Sequence, residues 1–341
     1  LINLYAYPYN APNAPQGKAA GIPLKLSSTI DQNSVPRSTV AEVYAAIISD
    51  VEKGINLLTE INATGSKFRI GMNAAHLLAS RYYLFMENWE KAAEHATSVF
   101  STPGSNLALY DMTPIDYPAA ISLGGFPYPF TLNNSEIIFY YASENEYQIV
   151  KAEYTTECFM ASDALRNCFA DDDQRWNGYL CPYNEERDQK KLSKFSNQLE
   201  FGACLRLSEV YLNRAEAYAE KGDKDKALQD LKTIREKRLK VYEEVQAVTK
   251  EDVIRRVREE RRRELSFEFH RWFDLRRWDR PRIEHTFTPD IKQPDVVEKY
   301  VLEKDDPAYT LPLPRSVVEY DPTLVDNPRP QRENQNVTGE N

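Results

Sequence analysis

Residues 205–238 read LRLSEVYLNRAEAYAEKGDKDKALQDLKTIREKR, and this stretch decides the fold. Apolar and small residues recur every three or four positions over 205–222 and again over 223–238, which predicts two amphipathic helices. Because only a short polar turn separates them, the two helices must run antiparallel and pack against each other. The stretch therefore predicts a helical hairpin as the building block of the fold.

A second stretch with the same organisation lies nearer the N-terminus. It predicts helices over 73–86 (NAAHLLASRYYLFM) and 88–100 (NWEKAAEHATSVF), with alanines where the two helices would approach each other. Both pairs resemble the tetratricopeptide helix pair, although two unrelated helical hairpins are the alternative. We predict a mainly α fold: a tetratricopeptide-like helical-repeat scaffold with an irregular, loop-rich face and few short strands.

The rest of the chain is predicted to complete one domain over 1–341. A capping box of Thr39 and Glu42 begins the first long helix. In the turn-rich, Tyr-rich middle, EIIFYYAS (136–143) is the best strand candidate. The four regions are a helical region at 38–100, an irregular region at 101–203, a second helical region at 204–280 and a mostly extended tail at 281–341. Since the chain begins LINLYAYPYN, we expect its natural N-terminus and any targeting signal to lie upstream.

Composition excludes several classes of function. The net charge is −9 and the sequence pI is about 5.2, which disfavours nucleic acid and anionic membrane surfaces as main partners. The four Cys and four His are dispersed, so they form no zinc signature and no disulfide framework. No apolar run approaches the length of a membrane span, and no motif indicates a cofactor. The 21 Tyr suit half-wet recognition surfaces as well as helix contacts.

Residues 259–280, EERRRELSFEFHRWFDLRRWDR, concentrate charge and aromatic rings. Interleaved acids argue against a nucleic-acid surface, and no nucleophile or metal motif accompanies the acid–base groups that a catalytic interpretation would need. The helical phase puts charges on the stripe that faces the core, where they must be paired. The favoured interpretation is a structural charge network of Arg261, Glu264, Glu268, Arg271 and Asp274.

The same residues lead to a family. RLSEVYLNRAEAYAEKGD, ERRRELSFEFHRWFDLRRW and the ending YTLPLPRSVVEYDPTLVDNPRPQRE closely resemble signatures of the SusD/RagB family, and further motifs follow in the family's order. The resemblance implies a non-enzymatic lipoprotein on the outer-membrane surface, without a cofactor or metal. It would capture oligosaccharides or peptides and pass them to a SusC-type TonB-dependent transporter. Its lipid anchor would belong to an N-terminal part that this chain lacks.

The resemblance makes the irregular face the ligand-binding one. Sugar rings stack on aromatic side chains, while Asn, Asp, Gln and Arg read their hydroxyls. The predicted ligand-binding residues are Tyr117, Tyr128, Tyr147, Tyr154, Trp176, Tyr179 and Tyr183, with Asn145, Glu146, Gln148 and Glu153 as polar companions. Trp176 has the alternative role of anchoring its own loop. A helical-repeat scaffold that binds another protein, without a small ligand, is the alternative function.

Overall fold

The computed structural model describes most of the chain and divides it by contacts into two compact units. The larger unit is Ile48–Arg271, and the smaller unit combines Leu1–Ile47 with Trp272–Asn341. The prediction of one domain stays a prediction. The described residues are 1–11, 14, 17–29, 34–63, 65–103, 105–123, 127–141, 161–184, 189–192, 194, 203–287, 296–329 and 335–338.

Helices dominate the described part of the chain. The twelve described α-helices are α1 Ile2–Tyr5, α2 Val40–Glu60, α3 Met72–Phe85, α4 Trp89–Ser101, α5 Tyr117–Ser122, α6 Asp163–Arg166, α7 Gln174–Gly178, α8 Leu207–Lys221, α9 Lys224–Arg235, α10 Lys250–Glu264, α11 His270–Arg277 and α12 Arg315–Tyr320. The seven described strands are β1 Ile137–Tyr141, β2 Leu180–Asn184, β3 Gln189–Leu192, β4 Ala203–Arg206, β5 Ile283–Phe287, β6 Val296–Leu302 and β7 Gln335–Thr338. The predicted mainly α fold with few short strands is confirmed.

The two predicted helix pairs form the scaffold of the larger unit. Helices α3 and α4 pack as one pair, α8 and α9 as the other, and α4 lies against α8. The side chains of Ala92 and Ala93 pack with Leu84 and Ala217, so small residues bring three helices together. Helix α8 ends at Gly222, whose φ of +89° few residues other than glycine adopt readily. Helix α10 then packs against α8 and α9 and extends the scaffold.

Predicted helix starts agree with the observed caps. The Thr39 and Glu42 side chains each accept a hydrogen bond from the other's backbone N–H, at 3.1 and 2.7 Å respectively. Thr249 and Asp252 form the same capping box at the start of α10. These bonds satisfy backbone N–H groups that a helix start leaves without intrahelical partners.

The irregular region has its own small core. Strand β1 confirms the predicted strand and pairs antiparallel with β4, while β2 pairs with β3. Met112, Tyr117, Phe130, Trp176 and Tyr179 are among the buried side chains of this core. The β1–β4 pair therefore connects the irregular region to α8, which begins directly after β4.

The smaller unit contains more regular structure than its sequence predicts. Strands β5, β6 and β7 form an antiparallel sheet in the tail, which we expected to be mostly extended. Arg37 donates hydrogen bonds to the Gly21 carbonyl at 2.8 Å and to the Asn327 side chain at 2.9 Å. The rings of Trp272 and Tyr309 stack with centroids 5.2 Å apart. The pairing of β6 with both β5 and β7 decides the structure of this tail.

Candidate functional site

The charged segment 259–280 leads into the interior of the larger unit. Glu264 ends α10, and Phe267 and Phe269 in the following turn have φ values of +61° and +63°. Such values are uncommon for residues other than glycine, so surrounding contacts must hold the turn. The turn carries Glu268, which is 3% exposed, back toward the buried end of α10.

The Glu264 carboxylate lies among three arginines. Oε1 accepts hydrogen bonds from Arg206 at 2.6 Å, Arg238 at 2.9 Å and the Tyr179 hydroxyl at 3.0 Å. Oε2 accepts from Arg175 at 2.9 Å and Arg238 at 3.0 Å. Burial alone would raise the pKa of Glu264, but the charges of Arg238, Arg206 and Arg175 outweigh burial and hold the pKa well below its usual value. Glu264 is therefore ionised and held from several directions.

Glu268 is paired in the same way. Arg206 contacts it with two parallel hydrogen bonds of 2.8 Å, the bidentate geometry that suits guanidinium and carboxylate. The Lys194 ammonium also contacts Glu268, and it donates to the Glu264 carbonyl at 2.6 Å. Burial lowers the pKa of Lys194 to about 8, although the Glu268 charge opposes this shift.

These groups belong to one buried charge cluster. It holds four cations and five carboxylates, of which the least buried is 3% exposed: Arg175, Lys194, Arg206, Arg238, Glu136, Asp173, Glu260, Glu264 and Glu268. Arg235 and Arg263 pair with Glu260 at the edge, at 3.1 and 2.7 Å. Buried charges persist when they are paired and hydrogen-bonded on all sides. The cluster ties β4, α7, the end of α9 and α10 together, and it exposes almost no polar surface to a ligand.

The residues of the predicted charge network differ in burial and in the unit to which they belong. Arg261 is 1% exposed and donates to the Asn213 side chain at 2.7 Å. Arg271 is exposed, in contrast to our expectation of a buried network member. Asp274 belongs to the smaller unit, where it accepts from Arg277 at 2.9 Å. The partners of Glu264 and Glu268 described above come from other elements, which helical spacing could not reveal.

The predicted ligand-binding aromatics separate into three groups. Tyr117 and Tyr179 are 0% exposed and Trp176 is 7% exposed, so in this conformation these rings have almost no face for a sugar to cover. The Trp176 ring instead packs against Phe169 and the Arg166 guanidinium. Tyr128 is partly exposed, and Tyr183 belongs to β2. Lying outside the described residues are Tyr147, Tyr154, Asn145, Glu146, Gln148 and Glu153.

Sequence reasoning missed an exposed aromatic ring beside β1. Phe68 is 55% exposed, and its ring stacks on that of buried Tyr140 with centroids 6.0 Å apart. The turn that presents it, Ser66–Arg69, closes with two backbone hydrogen bonds of 3.0 and 3.2 Å. We name this segment the 66–69 turn. No periodicity marks an exposed Phe in a short turn, because burial depends on what packs against it.

Lys67 fixes the 66–69 turn to its surroundings. Its ammonium donates to the carbonyls of Leu132 and Asn134 at 2.6 Å each, and its own carbonyl accepts from the Tyr140 N–H at 2.9 Å. Leu132 is 44% exposed beside it. An aromatic ring that stacks on a buried ring and still remains exposed is a surface on which a flat, apolar ligand face can stack.

A second polar cluster lies between α2, α3 and α4. The Nδ1 atoms of His76 and His95 are 3.0 Å apart, and His95 Nε2 is 3.2 Å from Glu52 Oε1. The Tyr83 hydroxyl also donates to Glu52, at 2.9 Å. Burial lowers the pKa of His76, and the charge of His95 lowers it further. Burial lowers the pKa of His95 too, against the raising effect of Glu52 and Glu94. The two imidazoles therefore resist protonation.

The part of the chain that the structure describes contains neither a candidate metal site nor a candidate membrane-spanning helix. Within these residues, no group of three or more His, Cys, Asp and Glu side chains could hold a metal ion. No described helix combines the length and the apolar character needed to cross a membrane.

Family models and solved structures both relate this chain to SusD proteins. A family model described as the SusD family matches residues 130–329, and one described as starch-binding associating with outer membrane matches residues 1–84. A SusD superfamily protein from Bacteroides thetaiotaomicron is 25% identical, with a TM-score of 0.74 over 96% of this chain and 74% of that chain. A search of curated proteins finds no match.

Two further solved structures share the fold. A SusD-like carbohydrate binding protein from Bacteroides vulgatus is 21% identical, with a TM-score of 0.64 over 94% of this chain and 73% of that chain. A SusD superfamily protein from Bacteroides fragilis is 24% identical, with a TM-score of 0.65 over 94% of this chain and 72% of that chain. Proteins of this family are binding proteins rather than enzymes. Since the first family model covers more than half of the 341 residues, the chain belongs to the SusD family.

Proposed function

We propose that this protein captures oligosaccharides at the surface of the outer membrane and passes them to a SusC-type TonB-dependent transporter. The observation that carries the proposal is the pair of family matches, one of them to a family described as starch-binding and associated with the outer membrane. The transporter partner and a lipid anchor on a preceding segment rest on the family resemblance. Glycan capture rests in addition on the aromatic surface of the larger unit.

We place the glycan on the 66–69 turn, and we infer further contacts from Tyr128 and from the segment after β1. That segment carries Tyr147 and Tyr154, which the sequence predicts as ligand contacts. The Phe68 ring supports this location, because it is exposed and yet held by the stack on Tyr140. A ring that is already ordered loses little side-chain entropy when a sugar covers it. Tyr183 is a further candidate, whereas burial argues against Tyr117, Trp176 and Tyr179.

Two alternatives concern the ligand. A peptide could occupy the same face, since aromatic rings also bind apolar side chains. A helical-repeat scaffold that binds another protein would use the surface of α3, α4, α8 and α9 and would need no exposed aromatic turn. The exposed Phe68 favours a small ligand over the protein-binding alternative.

Isothermal titration calorimetry tests this function. The full chain is titrated with maltohexaose, cellohexaose, xylohexaose and a mixture of short neutral peptides. We expect at least one oligosaccharide to bind, and Phe68→Ala to weaken that binding about tenfold, as the loss of one aromatic contact implies. Leu57→Ala, a 60% exposed apolar side chain on α2, serves as the matched control. Binding of peptides alone would contradict glycan capture, and equal losses in both variants would move the site elsewhere.

A further inference from the structure

A cavity of about 380 Å³ opens in the helical scaffold of the larger unit, and none of the predicted ligand-binding residues lines it. The end of α4, the segment at 105–109, α8 and α9 surround it. This volume falls in the range of about 300–1,000 Å³ that small-molecule sites occupy. The lining residues that matter for its chemistry are Phe100, Ser105, Tyr211, Thr233, Glu236 and Lys237.

One part of the cavity wall is aromatic and rigid. Phe100 is 37% exposed, and its ring lies 4.7 Å from that of Tyr211 at an angle of 52°. The Arg214 guanidinium lies over the Phe100 ring at 4.3 Å. Asp230 holds this guanidinium with two hydrogen bonds of 2.9 and 2.7 Å. The aromatic pair is therefore fixed in place before any ligand arrives, which reduces the entropy cost of binding.

The rest of the wall offers hydrogen-bonding groups with spare capacity. The Ser105 hydroxyl accepts from Asn73 at 3.0 Å, so its own proton can go to a ligand. Lys237 is 43% exposed and gives one of its three protons to Asp111 at 2.7 Å. Within the described part of the chain, the Tyr211 hydroxyl has no hydrogen-bond partner. The cavity thus combines apolar ring faces with donors and acceptors.

The charges around the cavity favour a neutral ligand. Asp111 compensates the charge of Lys237, and Glu236 has Lys232 within 3.7 Å. Among the described residues that line the cavity, no surplus of either sign remains to attract a phosphate, a sulfate or a cation. Aromatic faces combined with uncharged hydrogen-bonding groups match the surface of a pyranose, which has apolar C–H faces and hydroxyls at its edge.

We propose that this cavity is a second carbohydrate site, which binds one pyranose unit of an oligosaccharide on the helical scaffold. The proposal rests on the proposed function, because it assumes that the protein's ligand is a glycan. The cavity is a binding site separate from the predicted ligand-binding tyrosines. A long oligosaccharide could then be retained by two sites, so that release from one does not release the chain.

Backbone amide NMR on the full chain tests the second site. Maltohexaose, cellohexaose and xylohexaose are added separately, and the shifts of Ser105 and Thr233 report on the cavity while those of the 66–69 turn report on the other face. We expect saturable shifts at both places with the same oligosaccharide. Phe100→Ala should weaken the cavity response about tenfold and leave the response of the 66–69 turn unchanged.

Two further variants serve as a milder test of the cavity and as a control outside it. Tyr211→Phe removes only a hydroxyl and preserves packing, so a loss of about fivefold at the cavity is expected from one hydrogen bond. Phe287→Ala, which removes an exposed ring that does not line the cavity, should change nothing there. Shifts confined to the 66–69 turn and β1 would overturn the second site and leave glycan capture standing. Cavity shifts caused only by short peptides would overturn its carbohydrate assignment, and no shifts with any oligosaccharide would overturn both proposals.

Discussion

The buried charge cluster keeps charged side chains in the interior, whereas the 66–69 turn keeps an apolar ring in water. In the cluster, Glu264 and Arg206 are both 0% exposed, although charged groups normally remain in water. At the turn, Phe68 is 55% exposed, although large apolar side chains normally leave water. Contacts explain both placements: each cluster charge faces opposite charges, and Phe68 has the Tyr140 ring beneath it.

The difference separates stability from recognition. Removing a partner from the cluster leaves a charge buried without compensation, which costs several kcal/mol. An exposed ring on the turn contributes little to the free energy of unfolding, so its removal hardly affects the fold. The same removal takes a contact away from a bound ligand. We therefore expect substitutions in the two regions to affect different measurements.

Glu264→Gln should have the largest effect on stability. It removes the charge that faces Arg175, Arg206 and Arg238 but keeps nearly the same shape. We expect a loss of about 4 kcal/mol in the free energy of unfolding, measured by urea denaturation. Glu259→Gln on the same helix, at a side chain that is 36% exposed, should change stability by less than about 0.5 kcal/mol. Similar losses in both variants would mean that the cluster charges are not compensated as described.

Glu268→Ala should cost slightly less, on the order of 3 kcal/mol, because Arg206 keeps Glu264 and Glu136 as partners. Urea denaturation again measures the change. A loss under about 0.5 kcal/mol, typical of surface positions, would contradict a buried role for Glu268. Glu268→Gln, which keeps the hydrogen-bonding shape, separates the effect of charge from that of packing.

The sequence predicts the helical part of the fold well because that information is local. The period of apolar residues, the Ala positions and the capping boxes at Thr39 and Thr249 each depend on residues a few positions apart. Strand β1 was predicted for the same reason, from a short run of β-branched and aromatic side chains. The sheet of the tail was not predicted, because β6 also pairs with β7, a strand that lies far along the chain from it.

The candidate site was harder to predict because exposure depends on tertiary packing. Helical phase indicated that charges at 261 and 268 face the core, but the arginines that pair with Glu264 come from β4, α7 and the residues after α9. Tyr117 and Tyr179 lie in a Tyr-rich region and yet are fully buried. Phe68 lies in no recognisable motif and Phe100 ends a predicted helix, and yet both rings remain partly exposed. Residue type alone therefore does not distinguish the buried aromatic side chains from the exposed ones.

The His76–His95 pair should have a smaller and pH-dependent effect. Both pKa values are lowered in the folded protein, so the unfolded chain binds protons first as the pH falls below 6.5. The folded state must then lose stability as the pH falls through the ordinary histidine pKa of 6.5. His76→Gln should reduce this loss by less than about 1 kcal/mol, since buried His95 remains and keeps its lowered pKa. Urea denaturation at each pH measures it, and parallel pH profiles for the variant and the wild type would contradict the assignment.

Substitution of the two predicted ligand-binding tyrosines should affect stability least of all. Tyr147→Ala combined with Tyr154→Ala is expected to weaken oligosaccharide binding about tenfold, by removing stacking contacts, while the melting temperature stays nearly unchanged. Trp176→Ala provides the contrast, because its ring is 7% exposed and packs on Phe169, so it should cost about 3 kcal/mol or more of stability. Calorimetric titration and thermal unfolding of both proteins distinguish the two roles. If the Tyr variant unfolds, these two tyrosines belong with the buried group, and if its affinity is unchanged, they do not contact the ligand. In both cases recognition must depend on Phe68, Tyr128 and the scaffold cavity.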